Sequence, residues 1–159
     1  MELEKITKTL LSEKELEELF KKSREYPRRR ASKMFHDDNY AGPQVGLSII
    51  QPDSYIRPHF RYSDESIIHY SGKLCSLQFN ENGEITKKII LKKETPYLFL
   101  PKETYITIIS LESDSAIWMI VQGSYDSNKF KKFLEGTPEE NRDYKEYFEF
   151  LKNIQINLY

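Results

Sequence analysis

The 159-residue chain has one cysteine, Cys75, so an internal disulfide is excluded. A lone thiol inside an alternating apolar run reads as a small core residue and fits a reducing cytoplasm. An excess of either charge is also missing. The 24 basic and 25 acidic residues leave a net charge of −1, so no global field draws the protein to nucleic acid or anionic lipid. Neither partner is expected. The longest apolar run is AIWMIV at 116–121, far short of the roughly 20 residues a spanning helix needs. The opening MELEKITKTLL mixes acids with bases, so a soluble, unexported, cytoplasmic protein is expected. Internal repeats, low-complexity segments and flexible linkers are absent, and the length fits one domain over residues 1–159.

What the chain does have is aromatic area, with 11 tyrosines and 9 phenylalanines to fill a core. Ser12 and Glu15 form a capping box, Leu16, Leu19 and Phe20 recur at helical spacing, and Pro27 ends the run, which predicts a helix in a lead-in segment 1–44. Arg28, Arg29 and Arg30 read as a solvated edge or an irregular strand, with a ligand-binding patch as the alternative. From residue 45 to 122 the period becomes that of strands: VGLSII, SYIRP, ESIIHY, KLCSLQF, EITKKIIL, PYLFLP, TYITIISL and AIWMIVQ, separated by turns such as NENG. About eight strands with no helical pattern between them exclude parallel βαβ units and predict an antiparallel barrel or jelly roll. Over 123–159, Ser127 with Phe130, Phe133, Leu134 and Gly136 predicts a short helix. Thr137, Pro138 and Glu140 predict the start of a second, ahead of Tyr144, Tyr147, Phe148 and Leu151. The expected fold is mainly β, a barrel with N-terminal and C-terminal helices packed outside.

Chemistry concentrates in YIRPHFRYSDESIIHYSG, residues 55–72. Alternate strand residues share a face, so Tyr55, Arg57, His59 and Arg61 are expected to project together, and Glu65, Ile67 and His69 from the next strand. Charge at interior positions is costly unless paired, which marks His59, Arg61 and Glu65 as a pocket or a structural ion pair.

The spacing of His59, Arg61, Glu65 and Gly72 resembles the first motif of the cupins, whose usual form has a second histidine where Arg61 stands. The fuller context, RPHFRYSDESIIHYSGKLCSLQFNENGEI with LPKETY, QGSYDSNKF and GTPEE, resembles the WbuC family of cupin-fold proteins, found among bacterial surface-polysaccharide genes. The resemblance covers about Arg28 to Glu140. It implies a cupin-type barrel, a homodimer, and metal-ligand positions at His59 and Glu65. In the second motif, LPKETYITI places Ile106 where the third histidine falls and Glu103 where a glycine is usual. One imidazole and one carboxylate leave a divalent ion short of ligands, and a guanidinium beside them repels it, so no metal and no cofactor are expected. His69 lies roughly 13 Å along its strand from Glu65 and is out of reach of a shared ion. His36 has no spacing that requires it at the site, and both read as satisfied or exposed.

Arg61 therefore forms an internal ion pair with Glu65, or holds a carboxylate or phosphate of a ligand. His59 stays available as a proton carrier oriented by Glu65, with Tyr55 or Tyr105 as the partnering phenol and Arg57 or Arg61 as the anion holder. Three readings follow. One is a metal-independent site for a sugar or sugar nucleotide, with epimerase- or isomerase-like proton transfer where it is an enzyme. The second is a non-catalytic binding or assembly module. The third is a metal-dependent enzyme keeping His59 and Glu65 with a further ligand such as His36.

Overall fold

The computed structural model describes residues 11–35, 42–126 and 128–155. Helix α1 (Glu13–Glu25) starts where the sequence signals it. The Glu15 amide donates to Ser12 Oγ at 3.2 Å, and the Ser12 amide donates back to Glu15 Oε2 at 2.9 Å. Two amides that a helix start leaves without partners are thereby satisfied.

Among the described residues ten strands follow: β1 (Arg30–Met34), β2 (Gln44–Ile50), β3 (His59–Arg61), β4 (Glu65–Ser71), β5 (Leu74–Phe79), β6 (Ile85–Leu91), β7 (Tyr97–Leu100), β8 (Tyr105–Ser110), β9 (Ser115–Val121) and β10 (Lys131–Phe133), then helix α2 (Lys145–Lys152). They make two five-stranded sheets, β1-β2-β9-β4-β7 and β10-β3-β8-β5-β6. All pairings are antiparallel, with β2 on β9 the longest, followed by β4 on β9, β5 on β6 and β5 on β8. Strands β2 to β9 alternate between the sheets in jelly-roll order except at the β5–β6 hairpin, which stays within one sheet, and β1 and β10 extend one edge of each.

Strand alternation divides the apolar residues into three layers. Leu47 and Ile49 of β2, Ala31 and Ala116 pack under Leu19 of α1. Between the sheets Ile50, Ile67 and Ile117 meet Leu74, Ile106 and Ile108. Beyond the second sheet Phe60, Leu77, Tyr105 and Ile109 pack against Phe148 and Leu151 of α2. Strands covered on both faces need apolar residues without a break, and every residue of β8 is buried. Turn geometry fixes Gly72 between β4 and β5: its φ is +68°, and a Cβ there would lie 2.7 Å from the Ser115 Cα. Glu103, where the cupin motif has glycine, takes the same left-handed backbone with φ +62°.

Four expectations need correction. The sheets run beyond residues 45–122, because β1 pairs with β2 and β10 pairs with β3. SYIRP is not a strand; pairing begins at His59, after Pro58, which has no amide to donate. Residues 131–133 are strand rather than helix, because Lys131 and Phe133 pair with Arg61 and His59 and cover an edge left open by β3. Thr137, Pro138 and Glu140 do not cap a helix: α2 begins at Lys145 behind Tyr144, with no side-chain cap. The helix cap expected at Ser127 lies outside the described residues, as does His36.

Candidate functional site

A cavity of about 210 Å³ lies between the two sheets. Strand alternation decides what reaches it. From β3, His59 and Arg61 line it while Phe60 faces the α2 side; from β4, Glu65 and Ile67 line it. The floor is Ile50, Ile67, Ile106, Ile108, Ile117 and Met119. Ser32, Ser48 and Ile56 also face it, and Arg28, Arg30, Lys131 and Glu140 complete the lining. Arg28 and Lys131 are exposed, whereas Ile67 and Ile117 are fully buried, so the charged group forms the mouth.

Arg61 and Glu65 meet as an ion pair, with Nε donating to Oε2 at 3.0 Å and both side chains nearly buried. Burial raises the Glu65 pKa and the guanidinium opposes it. Arg61 also lies over the Phe130 ring at 4.4 Å, and its buried Nη1 has no hydrogen-bond partner among the described residues. His59 is pushed down to about 3 by burial, with Arg61 and Lys131 acting in the same direction against the bond to the Arg57 carbonyl. The imidazole is therefore neutral near pH 7. His59 Nδ1 lies 2.9 Å from that carbonyl, which can only accept, so Nδ1 carries the hydrogen and Nε2 is left as an acceptor. The ring is oriented by the main chain rather than by Glu65, which is committed to Arg61.

The other expected site residues lie elsewhere. Tyr55 is buried against Tyr144, ring centroids 4.5 Å apart, and its hydroxyl donates to the Pro138 carbonyl at 2.9 Å. Burial raises its pKa. Tyr105 packs against Phe60 in the same outer layer. Neither phenol lines the cavity: the backbone between Tyr55 and His59 is not strand, so the period-two projection does not carry across it, and on β8 Ile106 faces the cavity and turns Tyr105 outward. Arg57 turns to the 137–140 loop, donating from Nε to Thr137 Oγ1 at 3.1 Å and lying over Phe133. His69 Nε2 donates to the Gly72 carbonyl at 2.7 Å, away from the cavity lining. The proton carrier and the expected phenols are thus not brought together, whereas His59, Arg61 and Glu65 are.

Arg28 and Arg30, weighed as a ligand-binding patch only as the alternative, line the mouth, and Lys131 and Glu140 beside them were not expected. Glu140 accepts two bonds from Arg30 Nη2 at 2.8 Å and two from Arg28, at 2.9 Å and 2.6 Å. Burial alone would raise the Glu140 pKa, but the bonds and charges of Arg30 and Arg28 outweigh it and hold the carboxyl low. Lys131 has no carboxylate partner among the described residues; its ammonium lies over the Phe133 ring at 4.8 Å. Partial burial and the positive charges of Arg61, Arg28 and Arg30 lower its pKa, partly offset by Glu140. The one signal in the sequence was the spacing of Arg28 and Arg30, which puts both on one side of an extended chain. A second cavity of about 250 Å³, with Met34, Tyr125 and Phe130, shares Arg61 and Met119 with the first.

Among the described residues no three His, Cys, Asp or Glu side chains converge as a metal ion would require. Ile106, on the strand paired with His59, presents an aliphatic group to the cavity.

Residues 11–91 match a family model described as Domain of unknown function (DUF6016). No curated protein matches the chain. Among solved structures, protein SO0799 from Shewanella oneidensis is similar with a TM-score of 0.54 at 12% identity, over 68% of this chain and 75% of that one. The capsular polysaccharide assembling protein CapF from Staphylococcus aureus aligns at 21% identity with a TM-score of 0.59, over 69% of this chain and 33% of its own. Oxalate decarboxylase from Bacillus subtilis aligns at 11% identity with a TM-score of 0.53, over 66% of this chain and 27% of its own. The chain spans about a third of the CapF chain and about a quarter of the decarboxylase. At these identities the likeness shows the fold alone, a cupin-type jelly roll. No helix among the described residues is long and apolar enough to cross a membrane.

Proposed function

This chain belongs to the family described as Domain of unknown function (DUF6016), and from that premise we propose that it binds a small molecule, a sugar or sugar nucleotide, in the jelly-roll cavity without a metal ion. The observation that carries the reading is the Arg61–Glu65 pair at 3.0 Å. The carboxylate at a cupin ligand position is taken by a fixed cation, and Ile106 supplies no donor where a histidine would stand. Both features support a degenerate metal motif. The resemblance of RPHFRYSDESIIHYSG to the WbuC family, and the fold shared with a capsular polysaccharide assembling protein, support a role in bacterial surface-polysaccharide biosynthesis. Binding without turnover is favoured by one further feature: burial makes His59 a weak base, and among the described residues no phenol lines the cavity to return a proton.

Thermal-shift titration with monosaccharides, sugar phosphates and sugar nucleotides, with and without a chelator, tests this directly. Stabilisation that grows with ligand concentration and ignores the chelator is expected. Stabilisation that disappears with the chelator, or no stabilisation by any compound, rejects it. Solvent deuterium appearing in a bound keto-sugar nucleotide, and lost in His59→Ala, would replace binding by an epimerase-like reaction. One cytoplasmic domain acting as a homodimer completes the proposal. The exposed Tyr97 and Phe99 on edge strand β7 support self-association, and light scattering coupled to gel filtration measures it.

A further inference from the structure

The cavity is two-sided in its chemistry, and both sides constrain what it can hold. Its floor, Ile50, Ile67, Ile106, Ile108, Ile117 and Met119, has no side-chain donor or acceptor apart from the weak thioether, and the two serines that also line the cavity, Ser32 and Ser48, are already hydrogen-bonded to each other. A ligand hydroxyl placed on it would lose its hydrogen bonds to water without replacement. The mouth has the opposite character. Among the described residues Arg28, Arg30, Arg61 and Lys131 bring four positive charges, Glu65 and Glu140 bring two negative, and His59 is neutral, so two positive charges exceed the carboxylates that face them. Among the described residues Lys131 makes no ion pair with a carboxylate, Arg28 and Arg30 share the single carboxylate of Glu140, and the buried Nη1 of Arg61 has no acceptor.

We propose that the cavity takes an amphiphilic oxyanion: a phosphate or carboxylate held by Arg28, Arg30 and Lys131, with an apolar body lying on the isoleucine floor. In the ligand-free protein the Glu140 carboxylate stands in for the ligand's anion, bridging the two arginines. Binding moves it aside and exchanges one carboxylate for another oxyanion, so the arginines never face the cavity unpaired. The inference rests on the proposed small-molecule reading and narrows it. Among sugars, acidic or phosphorylated ones with methyl or acyl groups bind, and neutral polyhydroxylated ones do not.

Calorimetric titration of the full chain with inorganic phosphate, n-butyl phosphate, n-hexyl phosphate, hexanoate, hexanol and neutral monosaccharides, at fixed ionic strength, tests it. Affinity should rise about fourfold per added methylene along the alkyl series, with hexanol and inorganic phosphate both weak. Hexyl phosphate against hexanoate tells which oxyanion is preferred. Lys131→Ala, a surface substitution, should weaken hexyl phosphate at least about tenfold. Glu140→Gln, which removes the internal competitor, should tighten it. Equal affinity for inorganic and hexyl phosphate, or affinity unchanged by Lys131→Ala, overturns the proposal. Neutral monosaccharides binding where no oxyanion does overturns it while leaving the small-molecule reading intact, and no binding in any arm overturns both.

Discussion

His59 couples the stability of the molecule to pH. Its pKa is about 3 when folded and near the ordinary 6.5 when unfolded, so the unfolded chain binds the proton more tightly. The stability His59 contributes is fully present above about 6.5 and is lost as pH falls toward 3, by about 1.4 kcal/mol per unit. Glu65 shifts the other way: burial raises its folded pKa, so its ionisation costs stability as pH rises above the unfolded carboxylate range. Urea unfolding of wild type and His59→Asn separates the two, since asparagine keeps an N–H for the Arg57 carbonyl. The variant's stability should fall less steeply between pH 6 and pH 4, and parallel curves would place the His59 proton elsewhere. Arg61 and Glu65 make a second test at the same scale. Removing either partner alone leaves a nearly buried charge uncompensated and should cost about 3 kcal/mol, whereas Arg61→Leu with Glu65→Leu should come back close to wild type. Denaturant midpoints of the two single variants and the double variant decide it.

Among the elements, the β4–β5 turn is the most sharply constrained. Gly72→Ala would place a methyl 2.3 Å from Ser115 Oγ and 2.7 Å from its Cα, at φ +68°. The left-handed backbone alone costs roughly 1–2 kcal/mol, and the Ser115 backbone has no room to yield, so a loss above about 2 kcal/mol is expected in thermal unfolding. A variant as stable as wild type would contradict this turn. The elements also differ in how far sequence alone disclosed them, and the difference follows range. Helix α1 was legible because Ser12 and Glu15 satisfy each other three residues apart. Strands β5 and β8 were legible because burial on both faces forces apolar runs, and β7 because exposed and buried residues alternate along it. Strand β10 was not: Phe130, Phe133 and Leu134 fit a helical spacing, and what overrides it is the distant partner β3. At the site, His59, Arg61 and Glu65 were found because two of them sit on one strand and the third opens the next. Tyr55 was misplaced because a period-two argument was carried through Pro58, where the strand does not exist.

At the scale of the molecule, Glu140 ties the C-terminal segment to the start of the β structure. Its partners Arg28 and Arg30 precede it by 112 and 110 residues, a separation at which no local pattern gives warning, and GTPEE reads naturally as a helix start. Glu140 also lies at the end of a loop that Arg57 holds through Thr137 and Tyr55 through Pro138. Replacing Glu140 by glutamine should therefore loosen residues 134–144 together while leaving β4 to β9 intact. Hydrogen exchange resolved by peptide should show faster exchange in that segment alone. Uniformly faster exchange would mean that the glutamate supports the whole sandwich.

During synthesis the ribosome releases Arg28 and Arg30 long before Glu140 exists. Until then the nascent chain carries two arginines with no built-in counter-ion, beside a hollow whose outer wall, β10, has yet to be added. Residues 131–140 thus decide whether the hollow becomes a selective receptacle or stays an adhesive cationic cleft, and a protein truncated before residue 131 should bind polyanions indiscriminately.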